Sequence, residues 1–259
     1  MPLTKDELTK VADALYQARL DGAQLEPLSS TYTQISISDA YQISELNMKR
    51  RLEKATLLGK KIGLTSRAVQ KQLGVNEPDF GYLLSDMNIP SGELVTAKLI
   101  QPRVEGEIAF VLKKDLTGPG ITAAQVISAT EFVLPCIEII DSRIKDWKIK
   151  ITDTVADNAS AAMFVLGPTP RNLGRSDLAY AGMCLRVNGE VLSTGMGMAC
   201  LDNPVNAVAW LANKMSEFGV SLKAGEIILS GAYGPVVPVK KGDHVEVEIN
   251  GFAPVFCYF

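Results

Sequence analysis

Glu226-Ile-Ile-Leu-Ser230, Val236-Val-Pro-Val239, His244-Val-Glu-Val-Glu-Ile249 and Pro254-Val-Phe-Cys-Tyr-Phe259 follow one another in the last third of the chain, separated by Gly231, Gly242 and Gly251. Short apolar or alternating runs closed by turn residues read as successive strands. Strands this brief suit a strongly bent β-core or barrel and argue against a doubly wound parallel sheet. Working back from this stretch, short apolar runs broken by Gly and Pro continue as far as Leu58.

Two helices are expected to interrupt them. Thr122 with Gln125 opens one that should reach about Phe132. Asn203 as N-cap, Pro204 at the first helical position and Gly219 beyond the end frame the other, Pro204 to Phe218. Upstream of Leu58 the pattern is helical. Thr4 and Glu7 form a capping box ahead of Leu8, Val11, Ala12 and Leu15, and a second helix is expected to begin near Ser36 to Asp39 and run through the Lys/Arg-rich stretch before Gly59. The expected architecture is α+β, with residues 1–57 as an N-terminal helical cap and 58–259 as a β-rich catalytic domain.

At 259 residues the chain can bury a sizeable core without disulfides. Cys136, Cys184, Cys200 and Cys257 lack a CxxC spacing and read as reduced core thiols. A net charge of -3 argues against a nucleic-acid partner, and no apolar stretch approaches the ~20 residues of a membrane span. The N-terminus carries acids and no apolar export signal, so a cytoplasmic protein is expected.

The chemistry-bearing residues centre on Arg103-Val-Glu-Gly-Glu-Ile-Ala-Phe-Val-Leu112. Strand alternation puts Glu105 and Glu107 on one face with Ala109, while Val104, Ile108 and Phe110 turn the other way. Glu138 lies inside Val133-Leu-Pro-Cys-Ile-Glu-Ile-Ile140, a run apolar enough to be a buried strand, where an unpaired carboxylate would cost several kcal/mol. A cation shared by the three glutamates would compensate it, and an all-oxygen ligand set favours Mg²⁺ or Mn²⁺ over zinc. On spacing alone an equal alternative stands: a solvated face for Glu105 and Glu107, with Glu138 paired to an arginine such as Arg143.

Lys60 and Lys61 sit on an expected strand, so they must face opposite ways, and one of them can enter a pocket. Asp79, in Asn76-Glu-Pro-Asp-Phe-Gly-Tyr82, falls in a loop that would carry it over a site as a lid, although a turn-forming role is the commoner one for such an Asp. The one histidine, His244, begins an alternating surface strand, so proton transfer must come from Lys, Asp, Glu or water. Thr194-Gly-Met-Gly-Met198 lacks the third glycine of a dinucleotide fingerprint and reads as a turn.

Taken together, Gly59-Lys-Lys-Ile-Gly-Leu-Thr-Ser66, the Gln70 to Gly81 segment, Gln101 to Leu112, Leu134 to Trp147, Asp153 to Ser160 and Ile228 to Pro235 resemble the 2-hydroxypenta-2,4-dienoate hydratases of the fumarylacetoacetate hydrolase superfamily. The likeness extends over nearly the whole chain. It implies the mixed β-roll or barrel core of the fumarylacetoacetase C-terminal-like type under a helical cap. It also implies Glu105, Glu107 and Glu138 as ligands of Mg²⁺ or Mn²⁺, Lys61 and Asp79 as catalytic residues, and Ser160 as substrate-binding.

The implied activity is addition of water to 2-hydroxypenta-2,4-dienoate, giving 4-hydroxy-2-oxopentanoate in meta-cleavage degradation of aromatic compounds. Related 4-oxalocrotonate decarboxylases share the triad, the lysine and the Val155 to Ser160 segment. Glu77-Pro-Asp-Phe-Gly81 and Asp146-Trp-Lys-Ile-Lys150 look like the hydratase branch. The alternatives are therefore a 4-oxalocrotonate decarboxylase or a non-catalytic partner that stabilises one. The resemblance further implies a homo-oligomer that can associate with such a decarboxylase. Carbon–carbon hydrolases of the superfamily use a histidine with a glutamate, and no histidine lies near these motifs.

Overall fold

The computed structural model describes residues 2–175 and 177–259. Thr4 and Glu7 exchange side-chain and backbone hydrogen bonds at the start of α1 (Lys5–Asp21), and Ser36 and Asp39 do the same at α3 (Ile37–Arg51), with the single turn α2 (Leu28–Thr31) between them. Each box satisfies helix N–H groups that would otherwise lack partners, a contribution of ~1 kcal/mol per cap. Leu8, Val11, Ala12 and Leu15 of α1 are buried, and α1 packs on α3, which packs in turn on α6 (Ile151–Ala156).

The strands are β1 (Leu57–Gly63), β2 (Asp79–Leu84), β3 (Asn88–Pro90), β4 (Arg103–Leu112), β5 (Thr130–Ile140), β6 (Ala161–Leu166), β7 (Gly182–Val187), β8 (Glu190–Met196), β9 (Ile227–Leu229), β10 (Val237–Pro238), β11 (His244–Ile249) and β12 (Val255–Tyr258). Helices α4 (Arg67–Leu73), α5 (Ala123–Ala129) and α7 (Pro204–Ser216) complete the regular elements. Among the described residues the strands form two sheets. The larger, a curled half-barrel, runs β2-β1-β9-β4-β5-β6-β3 with β10 also on β4; the smaller runs β12-β11-β7-β8. The β1–β9 and β3–β6 pairs are parallel and the others antiparallel, so this is the mixed α+β architecture expected.

Register assigns the faces of the larger sheet. Lys61 pairs with Leu229, Leu229 with Ala109, Ala109 with Leu134, Glu107 with Cys136, Glu105 with Glu138, and Glu138 with Phe164. Directly opposed residues share a face, so the candidate carboxylates and Lys61 stand on the same side as Ala109, Leu134, Cys136, Phe164 and Leu229, which form a buried apolar cluster with Leu83. The opposite face carries Val104, Ile108, Phe110, Ile137 and Ile228, part of the main core. Both faces of β4 and β5 are thus covered, and the charged groups occupy one end of an otherwise apolar interior.

Three local expectations change. The helix opened by Thr122 stops at Ala129 instead of Phe132, because Thr130 already belongs to β5 and its extended pairing with β4. The helix from Pro204 stops at Ser216, two residues short of Phe218, with Gly219 at φ +69° beyond it. Thr194-Gly195-Met196 is not a turn but the end of β8; a Cβ on Gly195 would lie 1.8 Å from the Tyr233 carbonyl oxygen, so this glycine serves a close backbone approach. Among the described residues no helix is long and apolar enough to cross a membrane.

Candidate active site

Glu105 and Glu138 face each other directly across the β4–β5 ladder, with Glu107 one pleat further along the same face. One oxygen from each of the three carboxylates falls within 4.8 Å of the other two. Glu107 and Glu138 are fully buried, and Glu105 is half-buried at the cluster's edge. Like charges opposite one another on a sheet repel, and here they do so away from water.

Few donors relieve them. The Gly231 N–H donates to Glu107 Oε2 at 2.8 Å, while Glu107 Oε1 and both oxygens of Glu138 are buried without a hydrogen-bond partner among the described residues. The Lys61 ammonium lies 3.3 Å from Glu138 Oε1, a charge contact whose angles fall short of a hydrogen bond. The alternative pairing of Glu138 with Arg143 is absent: Arg143 Nε donates to Asp157 Oδ1 at 2.5 Å.

Asp79 completes the group. It is the first residue of β2, opposite Gly63 of β1, and is buried. The expected lid loop ends one residue earlier, at Pro78, because Phe80 is drawn inward: its ring stacks on Tyr41 at 4.4 Å and meets Phe218 edge-on at 5.8 Å. A Cβ on Gly63 would come within 2.2 Å of Asp79 Oδ1 and 3.0 Å of Lys61 Nζ. Glycine there is what lets the two side chains share the space, and Asp79 Oδ1 is itself buried without a hydrogen-bond partner among the described residues.

Burial and mutual repulsion set the protonation. Burial first, then the Glu138 charge, pushes Glu105 up to about 7 and Glu107 well above the ordinary carboxylate range. Glu138 is also raised by burial, against the opposing pull of Lys61. Asp79 is raised by burial, again with Lys61 pulling down. Burial works against the Lys61 ammonium, but Glu138, Asp79, Glu105 and Glu107 outweigh it and hold that lysine above its usual value.

One ammonium therefore faces four carboxylates in a largely buried space. Three orphaned oxygens on two of the glutamates, with the third glutamate in reach, fit a hard divalent cation, whose ligands are carboxylate oxygens and whose charge would offset the excess. The neighbouring Cys136 and Cys200 thiols are pushed well up by burial and by Glu107, so they stay protonated and add no soft ligand.

Ser160 stands on a different support. Asn158, Ala159 and Ser160 have φ of 57°, 49° and 55°, three successive non-glycine residues in a left-handed conformation that L side chains resist. The segment is pinned: Asn158 exchanges side-chain hydrogen bonds with the Tyr82 backbone, and the Ser160 carbonyl accepts from Asp141 N–H. Gly81, opposite Lys61 on β1, leaves room for the Asn158 carbonyl, which a Cβ would approach to 2.4 Å. The Ser160 hydroxyl meets Thr154 Oγ1 at 3.2 Å.

The structure thus brings Lys61, Asp79, Glu105, Glu107 and Glu138 together, with Ser160 at the end of a strained segment packed on β2. Sequence reasoning passed over Gly63 and the Gly231 N–H; a glycine two residues beyond a candidate catalytic lysine on the same strand face was the available signal for the first. His244 lies on β11 of the smaller sheet, stacked on Tyr258 at 4.8 Å.

A family model described as fumarylacetoacetate (FAA) hydrolase, C-terminal, matches residues 46–257. A 2-keto-4-pentenoate hydratase of Paraburkholderia xenovorans (strain LB400) is 48% identical over 259 residues, which cover 99% of this chain and 96% of the relative. A 2-hydroxypent-2,4-dienoate hydratase of Pseudomonas putida is 53% identical over 222 residues, covering 85% of this chain and 100% of the relative. Among solved structures, 4-oxalocrotonate decarboxylase from Pseudomonas putida G7, complexed with magnesium and adipate, superposes with a TM-score of 0.95 at 35% identity, covering 99% of this chain and 98% of that one.

Proposed function

The chain belongs to the fumarylacetoacetate hydrolase family, and from that premise we propose that it is a divalent-metal-dependent hydro-lyase that adds water to 2-hydroxypenta-2,4-dienoate to give 4-hydroxy-2-oxopentanoate. The observation that carries this reading is the convergence of three glutamates, two of them with buried oxygens that lack hydrogen-bond partners among the described residues, beside a lysine and a buried aspartate. Glu105, Glu107 and Glu138 would hold Mg²⁺ or Mn²⁺. When bound, such a cation supplies Lewis-acid stabilisation of the negative charge that a 2-oxo acid develops at its C2 oxygen.

The residues of the chain divide the remaining work. The Lys61 ammonium, fixed beside Glu138, holds negative charge at the C2 oxygen. Asp79, within reach of Lys61 and with one oxygen unpartnered, moves the proton. Protonation at C5 with loss of the C2 hydroxyl proton turns the dienol into 2-oxopent-3-enoate; water then gives its hydroxyl to C4 and a proton to C3. On this reading Ser160, at the end of the left-handed segment and 3.2 Å from Thr154 Oγ1, contributes its hydroxyl to substrate binding.

Identity to the hydratases, 48% and 53%, exceeds the 35% shared with the decarboxylase structure, which favours water addition over loss of carbon dioxide. On the same reading, residues 1–57 cap the catalytic domain 58–259, and the protein works in the cytoplasm as a homo-oligomer that can engage a 4-oxalocrotonate decarboxylase. The test supplies purified protein, stripped of metal and reloaded with Mg²⁺, with 2-hydroxypenta-2,4-dienoate and 4-oxalocrotonate in separate reactions. A product one water heavier than the first substrate is expected. Carbon dioxide from the second alone would make it a decarboxylase, and inertness toward both would make it a non-catalytic partner.

A further inference from the structure

A second charged interior lies on the far side of the strained segment, between the N-terminal helices and the sheet. Arg19 of α1, Arg51 of α3 and Arg143 beyond β5 line one small cavity, together with Asn47, Asp157 and Asn158. Arg51 and Arg143 are buried and Arg19 is half-buried. The acids around them are fewer. Arg143 is held by Asp157, through Nε to Oδ1 at 2.5 Å and Nη2 to the carbonyl at 3.0 Å. Arg51 and Arg19 share the one carboxylate of Asp86, at 2.9 and 3.4 Å, and Asp86 is nearly half exposed.

In direct ion pairs, three guanidiniums thus share two carboxylates, one of them nearly half exposed, while the buried Asp141 beside Arg19 and Arg143 is turned to the Ile100 and Gln101 N–H groups. The shortfall falls on Arg51: its Nε is buried with no hydrogen-bond partner among the described residues. A buried guanidinium N–H left unmet is costly. Burial and then the Arg19 charge pull Arg51 below the ordinary guanidinium value, the direction expected where positive charge is in local excess.

The geometry points to this cavity as a binding site for one small monovalent anion of halide or nitrate size, held by Arg51 with Arg19 and Arg143. Its volume of ≈ 30 Å³ exceeds the ~10–15 Å³ that one water needs on the same measure, and is too small for a phosphate ester or a dicarboxylate. The anion would join α1 and α3 to Asp157 and Asn158, the residues that lead into the left-handed turn at Ser160. Its effect is therefore on the docking of the helices and on the rigidity of that turn. The inference stands on arginines that take no part in the proposed reaction.

Bromide is the probe. In solution, thermal unfolding of the full chain is followed in sodium bromide and in sodium gluconate at equal ionic strength; gluconate is too large to enter. Bromide at ten times its dissociation constant should raise the midpoint by about 2–4 °C over gluconate, and Arg51→Met should abolish that difference. In crystals grown with bromide, an anomalous peak is expected within hydrogen-bonding distance of Arg51 Nε. Equal midpoints in the two salts for the wild-type chain, with water at that position, would overturn the proposal without any variant being needed. So would a bromide-specific shift that survives in a folded Arg51→Met protein.

Discussion

Lys60 and Lys61 are neighbours on β1 and both are buried, yet they live in opposite electrostatic conditions. Lys60 Nζ sits 2.7 Å from each oxygen of Glu226, one charge matched by one charge with both carboxylate oxygens engaged. Burial still pulls Lys60 down, against Glu226, so the pair is a compensated burden on the fold. On the other face Lys61 confronts Glu138, Asp79, Glu105 and Glu107, and several of their oxygens lack a hydrogen-bond partner among the described residues. A matched buried pair is sufficient in itself. An unmatched cluster calls for a further component: on the proposed reading, a cation and a substrate here and an anion in the arginine cavity.

The largest effect expected from breaking this contrast is on turnover. Lys61→Met should lower kcat by ~10²–10³, the loss typical of one group that stabilises a developing oxyanion, measured by loss of dienoate absorbance in a protein whose circular dichroism matches wild type. Glu107→Gln keeps the shape and the Gly231 contact but removes a charge. It should weaken Mg²⁺ by at least the ~10–100-fold typical of outer-shell changes, read by calorimetry. Exhaustive chelation should abolish activity and Mg²⁺ or Mn²⁺ restore it; full turnover after chelation would remove the metal from the scheme.

Much of this is legible in the sequence. Period-two alternation in 103–112 fixed which face Glu105 and Glu107 share, and the apolar run around Glu138 marked a buried strand. Alternation also separates Lys60 from Lys61, but which of them meets the carboxylates depends on β1 pairing with β9 and β9 with β4, contacts between strands far apart in sequence. The partner of Glu138 is equally hidden, since Arg143 is claimed by Asp157, the C-cap residue of α6, fourteen positions further along the chain. The Pro, Gly and aromatic content of 76–82 reads as a loop around Asp79; what makes Asp79 strand is the packing of Phe80 on the Tyr41 and Phe218 rings. Local signals set faces and caps, whereas long-range pairing decides partners.

Stability should respond more to the matched pair than to its neighbours. Lys60→Met strands a buried Glu226 and should cost ~3–5 kcal/mol, while Lys60→Met with Glu226→Leu together should recover most of it, with kcat near wild type in both proteins. Denaturant unfolding and a turnover assay check this. A double variant as unstable as the single one would mean that the pair is held by more than its own charges.

The ring cluster beside Asp79 offers a smaller, more selective perturbation. Phe218 packs edge-on against both Tyr41 and Phe80 while remaining partly exposed, so Phe218→Ala should cost only ~1 kcal/mol or so of aromatic contact. Since Phe80 follows Asp79 directly, loosening its ring should lower kcat while leaving KM nearly unchanged. A variant that changes KM alone would place the rings in binding.

The smallest effect concerns thiols, which show what burial does where no partner is required. Cys136, Cys200 and Cys257 are buried and Cys184 is half-exposed, all four free. Burial pushes Cys257 up to about 12, and Cys136 and Cys200 well above the usual thiol value. A raised thiol stays neutral until the pH approaches its folded value, and a neutral thiol in an apolar wall costs little. At pH 8, iodoacetamide should therefore modify Cys184 alone in the native protein and all four after unfolding, counted by intact mass. Rapid native labelling of Cys136 would mean that the wall beneath Glu107 and Glu138 opens to solvent, and a carboxylate cluster wet enough for that would no longer need a cation to balance it.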